Sequence, residues 1–369
     1  KECYGSVARL NAQWETQYAS FDEAEPLHVD DLLDAGIHTR PFPEWNLSRW
    51  ADHRSFMDVH FSAVLADLRA HANALDPATP AGFVGGQAPA AYGGFDYARL
   101  TRAVQWMEAY DIGATDEILR SFWAQRRPRV QTFFSSEKPH LDKWFLWYYL
   151  AHGDRGMIAW PDNNGRHWFP EGRPREEIRA LAETFKEVQG PLGRVLTNAR
   201  FLHDGIAVYY SHPSIQVSWF MDIQPHGRTW VNRSSSLNNE NATDILNRWS
   251  WLKLLEDCGF QYEFVSYLDV RERGLDARRY RVLILPRALA LSDEEARAIR
   301  RFAEAGGTVV ADYLPGVFDE HGRGRQRGIL DDLFGVRRDP GAGVLDGSSV
   351  AEVNAERYQE PLAQRLAYG

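Results

Sequence analysis

The sequence has few cysteines, no surplus of basic residues and no long apolar run, and each shortage excludes a class of protein. Its two cysteines, Cys3 and Cys258, cannot build a disulfide framework or a cysteine zinc site. A formal net charge of -9 argues against a nucleic-acid partner, because no positive excess can neutralise phosphates. No apolar stretch is long enough to cross a bilayer. With 44% hydrophobic and 25% charged residues, we expect a soluble globular protein, and the cytoplasm is the favoured compartment.

The amino terminus carries no sign of a targeting segment. The chain opens KECYGSVARL, without a methionine, an apolar signal region or a cleavage site. These first residues already have a helical pattern. We therefore expect a fragment, or a domain whose upstream half is missing.

Residues 1–75 have the pattern of helices. SVARLNAQW and SFMDVHFSAVLADLRAHANAL repeat apolar residues at helical spacing, which predicts two amphipathic helices. The apolar positions of the second helix are Phe56, Val59, Val64, Leu65 and Leu68.

Short apolar segments then alternate with helical ones. The predicted strands are GFVGGQAP (82–89), AVQWMEAYDIG (103–113), VQTFFSSE (130–137) and GMIAWPD (156–162). Strands that alternate with helices at this spacing indicate parallel βα units. Four such units are half of an eight-stranded TIM barrel.

A second α/β segment begins near residue 200. Its predicted strands are GIAVYYSHPS (205–214), YEFVSYLD (262–269), YRVLILPRAL (280–289) and TVVADY (308–313). Ser292 and Glu295 form a capping box at the start of one helix. Another helix ends at Gly259, and we expect Cys258, just before it, to be buried. The order β-α-β-β-α-β predicts a doubly wound, flavodoxin-like sheet.

Three segments resemble family 42 glycoside hydrolases in the order that the family has them. YGSVARLNAQWETQYASFDEAEP is similar to the helix and loop that follow the acid/base glutamate, and WYYLAHGDRGMIAW is similar to the eighth-strand region. YRVLILPRALALSDEEARAIRRFAEAGGTVVADY is similar to the trimerisation domain, which has a class I glutamine-amidotransferase-like fold. The resemblance implies barrel residues at 1–195, a trimerisation domain at 196–345 and an irregular tail at 346–369.

The resemblance also implies a chemistry. Family members are retaining β-galactosidases that use two glutamates, and the nucleophile at the end of the seventh strand maps onto Glu137. The acid/base glutamate and the family's cysteine zinc cluster would lie upstream of Lys1. We therefore expect no cofactor and no metal in this chain, a carbohydrate substrate and a homo-trimer.

Other candidate site residues lie at predicted strand ends, where barrel enzymes place their active sites. Trp160 is the candidate for stacking on a sugar ring, because a pyranose packs its C–H face on an aromatic ring. Gln87, Tyr110, Asp111 and His152 are candidates for polar contacts with substrate. Each candidate also has a structural alternative. For Trp160 the alternative is burial in the core, and for His152 it is a structural hydrogen bond. For the glycines beside Gln87 it is a tight turn, and for Glu137 it is a position in a solvated loop. For Glu108 a structural role is favoured over a functional one: we expect it to cap the following helix or to pair with an arginine.

Two other functions compete with a hydrolase. One is a non-catalytic carbohydrate-binding or assembly protein on the same fold, because a fold does not carry an activity with it. The other is an amidotransferase-like enzyme, which needs a cysteine at a strand-to-helix turn. The corresponding turn reads ILPRALALSDEE and contains none.

Overall fold

The computed structural model describes residues 1, 3–123, 129–133, 138–159, 171–223 and 242–338. Glu137, Trp160 and the predicted tail at 346–369 lie outside the described residues. Among the described helices, none combines the length and the apolar character that a bilayer crossing requires.

The amino-terminal region is helical, as predicted. It contains α1 (Val7–Trp14), α2 (Val29–Asp34) and α3 (Ser48–Leu75), with 3-10 turns at Phe21–Glu23, Ile37–Thr39 and Phe42–Glu44. The expected apolar face of α3 is wrong for most of its positions, since Phe56, Val59, Val64 and Leu68 are exposed. The buried positions of this helix are Ser48, Trp50, Ala51, Asp58 and Ser62.

The first sheet consists of consecutive βα units. Its strands are β1 (Gly82–Gly86), β2 (Trp106–Ala109), β3 (Arg129–Phe133) and β4 (Gly156–Ala159), and its helices are α4 (Tyr97–Ala103), α5 (Thr115–Phe122) and α6 (Pro139–Ala151). All neighbouring strands are parallel, in the order β1-β2-β3-β4. Gly82 permits the close approach of β1 to β2, because a Cβ there would lie 1.9 Å from the backbone oxygen of Trp106. This sequential parallel order is that of neighbouring strands in a TIM barrel.

The second sheet is also parallel. After α7 (Glu176–Gln189) and α8 (Pro191–Asn198) come β5 (Ile206–Tyr210), α9 (His212–Asp222), α10 (Thr243–Asp257), β6 (Tyr262–Ser266), α11 (Tyr267–Arg273), β7 (Val282–Leu285), α12 (Asp293–Glu304) and β8 (Thr308–Ala311). The strand order β6-β5-β7-β8 is that of a flavodoxin-like sheet. The predicted fold class, a TIM-barrel-like half followed by a doubly wound domain, is confirmed.

All four predicted strands of this sheet are longer than the observed ones, and two of them extend into a helix that a serine caps. Ser211 Oγ accepts a hydrogen bond from the amide of Ser214 at 3.2 Å, and Ser266 Oγ accepts one from Asp269 at 3.1 Å. The segment after Ser211 is therefore α9, and α11 separates β6 from β7, so the predicted β-β step is wrong. The capping box is confirmed, with Glu295 N donating to Ser292 Oγ at 3.2 Å. Cys258 is exposed, not buried, because it follows the last turn of α10.

The two halves of the sequence share their hydrophobic cores. One core joins side chains of α4 and α5 to strands β5, β6 and β7. A second core joins Trp45, Leu47 and Trp50 of the amino-terminal region to Phe220 of α9 and to Phe318. The domain boundary at 195/196 remains a prediction, and the amino-terminal region packs on elements from both of its sides.

Candidate active-site edge and buried carboxylate cluster

Two predicted site residues lie at the carboxyl ends of neighbouring strands. Gln87 directly follows β1, and Tyr110 directly follows β2. The Tyr110 amide donates to the carbonyl of Gly86 at 2.9 Å, which continues the pairing of the two strands. The carbonyl of Gln87 accepts a hydrogen bond from Tyr97 Oη at 2.6 Å. We call this side of the sheet the candidate active-site edge, because barrel enzymes carry their chemistry there.

Glu108 stabilises the turn at this edge. Its carboxylate accepts a hydrogen bond from the amide of Gly85 at 2.5 Å, and Gly85 has the positive φ of 84° that a glycine adopts easily. Burial raises the pKa of Glu108, and the bond from Gly85 opposes that rise. This contact is neither the helix cap nor the arginine pair expected from the sequence.

Glu137 and Trp160 follow the other two strands of the sheet. The last described residue of β3 is Phe133, four positions before Glu137, and β4 ends at Ala159, one position before Trp160. Since the sheet is parallel, these strands end on the same side as β1 and β2. The roles of Glu137 and Trp160 remain predictions.

His152 lies elsewhere. It follows α6 and precedes β4, and its carbonyl accepts a hydrogen bond from Arg129 Nη2, at the first residue of β3, at 2.6 Å. Its Nδ1 contacts the Glu117 carboxylate, and its ring stacks on Tyr148 with 4.0 Å between centroids. His152 thus lies before the start of β4, whereas Gln87 and Tyr110 follow the ends of their strands. These contacts are those of a structural hydrogen bond, and the predicted sugar contact of His152 stays a prediction.

His152 belongs to a group that we call the buried carboxylate cluster, formed by Asp111, Asp116, Glu117 and Asp154 with His152. Asp116 and Glu117 come from the first turn of α5, and Asp154 lies just before β4. Ligand atoms of Asp116, Glu117 and His152 all lie within 4.8 Å of one another, a spacing that could hold a metal ion. No sequence motif predicts this group, because its members come from different elements of the fold.

Two arginines enter the cluster. Arg120 donates to Glu117 through Nε at 2.8 Å and to the carbonyl of Tyr262 on β6 at 2.9 Å, which ties α5 to the second sheet. Arg129 Nε lies 3.7 Å from Asp154 Oδ1. Although burial acts to raise the pKa of Glu117, Arg120 and His152 hold it well below its usual range.

The pKa values of the other carboxyl groups of the cluster are raised. Burial, Asp116 and Glu117 together raise the pKa of Asp111 to about 7. Burial raises the pKa of Asp116 and of Asp154, and a hydrogen bond between the two carboxyl groups raises the pKa of Asp154 further while it opposes the rise for Asp116. Asp111 is thus electrostatically part of the cluster, although in sequence it follows Tyr110.

The second sheet has a strained turn after β7. Arg287 adopts a φ of 43°, which is uncommon for a residue other than glycine. Its amide donates to Asp312 Oδ1 and its Nε to Ser218 Oγ, both at 2.7 Å. This is the turn at which an amidotransferase would carry its cysteine, and a paired arginine supplies no nucleophile. Nothing at this turn supports the amidotransferase hypothesis.

The two parallel sheets define the class as an α/β protein, and comparison with known proteins shows which family it resembles. Residues 259–359 match the family model described as the β-galactosidase trimerisation domain. Over most of the chain, the fold is similar to that of solved family 42 enzymes. These matches confirm the predicted resemblance to the family 42 glycoside hydrolases.

Three solved structures illustrate the similarity. The β-galactosidase of the Antarctic haloarchaeon Halorubrum lacusprofundi has a TM-score of 0.64 and 17% identity, over 90% of this chain and 52% of that one. The β-galactosidase of Bacillus circulans sp. alkalophilus has a TM-score of 0.64 and 18% identity, over 90% and 50%. A family 42 exo-carrageenase of Bacteroides ovatus has a TM-score of 0.60 and 13% identity, over 96% and 50%. The chain thus spans about half the length of these enzymes, and at these identities the similarity shows the fold.

Proposed function

We propose that this chain provides the nucleophile side of the active site of a retaining glycoside hydrolase that acts on β-galactosides or related glycosides. The observation that carries the proposal is the first sheet. Its four parallel strands end on one side, and the fold of the chain is similar to that of two β-galactosidases and an exo-carrageenase. Glu137 follows the third of these strands, where a barrel enzyme places a catalytic side chain.

In the proposed reaction, the Glu137 carboxylate attacks the anomeric carbon of the sugar and the glycosidic bond breaks. The leaving oxygen takes a proton from a second carboxyl group, for which the family resemblance implies a glutamate upstream of Lys1. Water then hydrolyses the glycosyl ester, which gives overall retention. Trp160 would stack on the sugar ring, and Gln87 and Tyr110 would offer polar contacts from the neighbouring strand ends.

A mechanism-based trap tests Glu137 directly. The reagent is dinitrophenyl 2-deoxy-2-fluoro-β-galactoside, whose leaving group departs without a proton, so the test does not need the acid/base residue. We expect one dinitrophenolate released per chain, and a fluorogalactosyl ester on the peptide that contains Glu137, located by mass spectrometry. A label on another carboxylate would refute the assignment of Glu137.

The alternative is a non-catalytic protein that binds carbohydrate or only assembles. The observation that favours it is the match of residues 259–359 to a trimerisation domain. A galactose titration that shows binding, together with no trapped ester, would favour the binding protein over the hydrolase.

The same match leads us to propose that the chain forms a homo-trimer through its second sheet domain. We expect light scattering to give a mass about three times that of the 42.2 kDa chain, independent of concentration over the micromolar range. A mass equal to that of one chain throughout this range would contradict the proposal.

A further inference from the structure

The buried carboxylate cluster contains acceptors that no described donor satisfies. Asp116 and Asp154 are each 2% exposed. Apart from a hydrogen bond between these two carboxyl groups, no N–H or O–H group of the described residues donates to Oδ2 of either side chain. A buried carboxylate oxygen that receives no hydrogen bond forfeits its hydration without compensation, so it calls for a proton or a cation.

The charges of the cluster point in the same direction. Among the described residues, the carboxyl groups of Asp111, Asp116, Glu117 and Asp154 face three basic groups, those of Arg120, Arg129 and His152. Arg120 is already bound to Glu117, and Arg129 lies no closer than 3.7 Å to Asp154. The acidic groups therefore outnumber the basic ones in a poorly solvated place, and a doubly positive ion that displaces protons from its ligands would compensate their charge.

We propose that Asp116, Glu117 and His152, with Asp154, form a binding site for one divalent transition-metal ion. One ligand atom from each of the first three residues lies within 4.8 Å of the other two, a separation that a single ion can bridge. Carboxylate oxygens with one imidazole nitrogen suit Zn²⁺ and Mn²⁺. His152 also provides a route of entry, since its side chain is 22% exposed.

The site joins three elements of the fold. Asp116 and Glu117 belong to α5, His152 follows α6, and Asp154 precedes β4. Through Arg120, the same group holds α5 against the Tyr262 carbonyl of the second sheet. A bound ion would therefore cross-link the first sheet and stabilise its contact with the second, which makes unfolding a suitable readout.

The test is metal binding by the chelator-stripped chain, followed with Zn²⁺ and with Mn²⁺ separately. We expect one ion per chain by elemental analysis after gel filtration, and a rise of about 5 °C in the unfolding midpoint at saturating metal. X-ray absorption of the zinc form should show one imidazole and oxygen donors. Asp116→Asn and His152→Gln should each weaken binding at least tenfold. Glu108→Gln is the matched control, because it alters a buried carboxyl group in the same sheet and leaves the cluster intact.

Two outcomes would overturn the proposal. If the folded, chelator-stripped chain binds no metal and Asp116→Asn raises its unfolding midpoint, then Asp116 and Asp154 share a proton and the cluster is purely structural. If Asp116→Asn and His152→Gln bind metal as tightly as the parent chain, the ion occupies another place.

Discussion

Replacement of Glu137 by glutamine is expected to abolish glycoside cleavage, with a fall in kcat on the order of a thousandfold or more. Glutamine has nearly the same shape as glutamate but supplies no carboxylate to attack the anomeric carbon. The substrate should be dinitrophenyl β-galactoside, because its leaving group needs no proton and the measurement then reports on the nucleophile. Release of dinitrophenolate is followed by its absorbance.

The matched control is Glu183→Gln. Glu183 is exposed on α7, where its partner is Lys186, and surface ion pairs of this kind contribute little. Its variant should keep the parent rate within about twofold. If Glu137→Gln kept the rate of this control, Glu137 would not be the nucleophile.

The largest expected loss of stability follows from Trp50→Ala. Trp50 is 1% exposed in the second core, and its ring lies 5.7 Å from that of Trp219 and 5.5 Å from that of Phe220. Its Nε1 donates to Tyr92 Oη at 3.2 Å. Removal of a buried indole leaves a cavity, so we expect the free energy of unfolding to fall by about 3–5 kcal/mol.

Urea unfolding of both variants checks this prediction against a control on the same helix. Phe56 is also a large aromatic residue of α3, but it is 59% exposed, so Phe56→Ala should change the free energy of unfolding by less than about 0.5 kcal/mol. Equal losses for the two variants would show that the second core does not stabilise the amino-terminal region.

Several elements could be predicted from the sequence because their causes are local. Ser292 and Glu295 cap α12 through hydrogen bonds that span three residues, and the structure forms both. The apolar segments that became β1 to β4 were recognisable, because each is short and flanked by a helical pattern. The ends of β5 and β6 were predicted too far along the chain. Ser211 and Ser266 are residue types that cap helices, but each lies in an apolar run, and the run was taken as the stronger indication of a strand.

The candidate sites were only partly predictable. Gln87 and Tyr110 reach one edge because they follow paired parallel strands, and that follows from the βα order. His152 was grouped with them on sequence position, but it precedes its strand and contacts Glu117 instead. The buried carboxylate cluster could not have been predicted, because the folded chain brings together positions up to 43 residues apart, from Asp111 to Asp154.

The sequence by itself determined the succession of strands and helices, the flavodoxin-like character of the second half and the resemblance to family 42 glycoside hydrolases. Hydrophobic period, caps and glycine turns act over a few residues, so they can be recognised along the chain. Only the tertiary structure decided which side of α3 is buried, that Trp50 packs on α9, and that the carboxylates of α5 meet His152. These contacts depend on which element packs against which, and burial and electrostatic coupling exist only after that packing has formed.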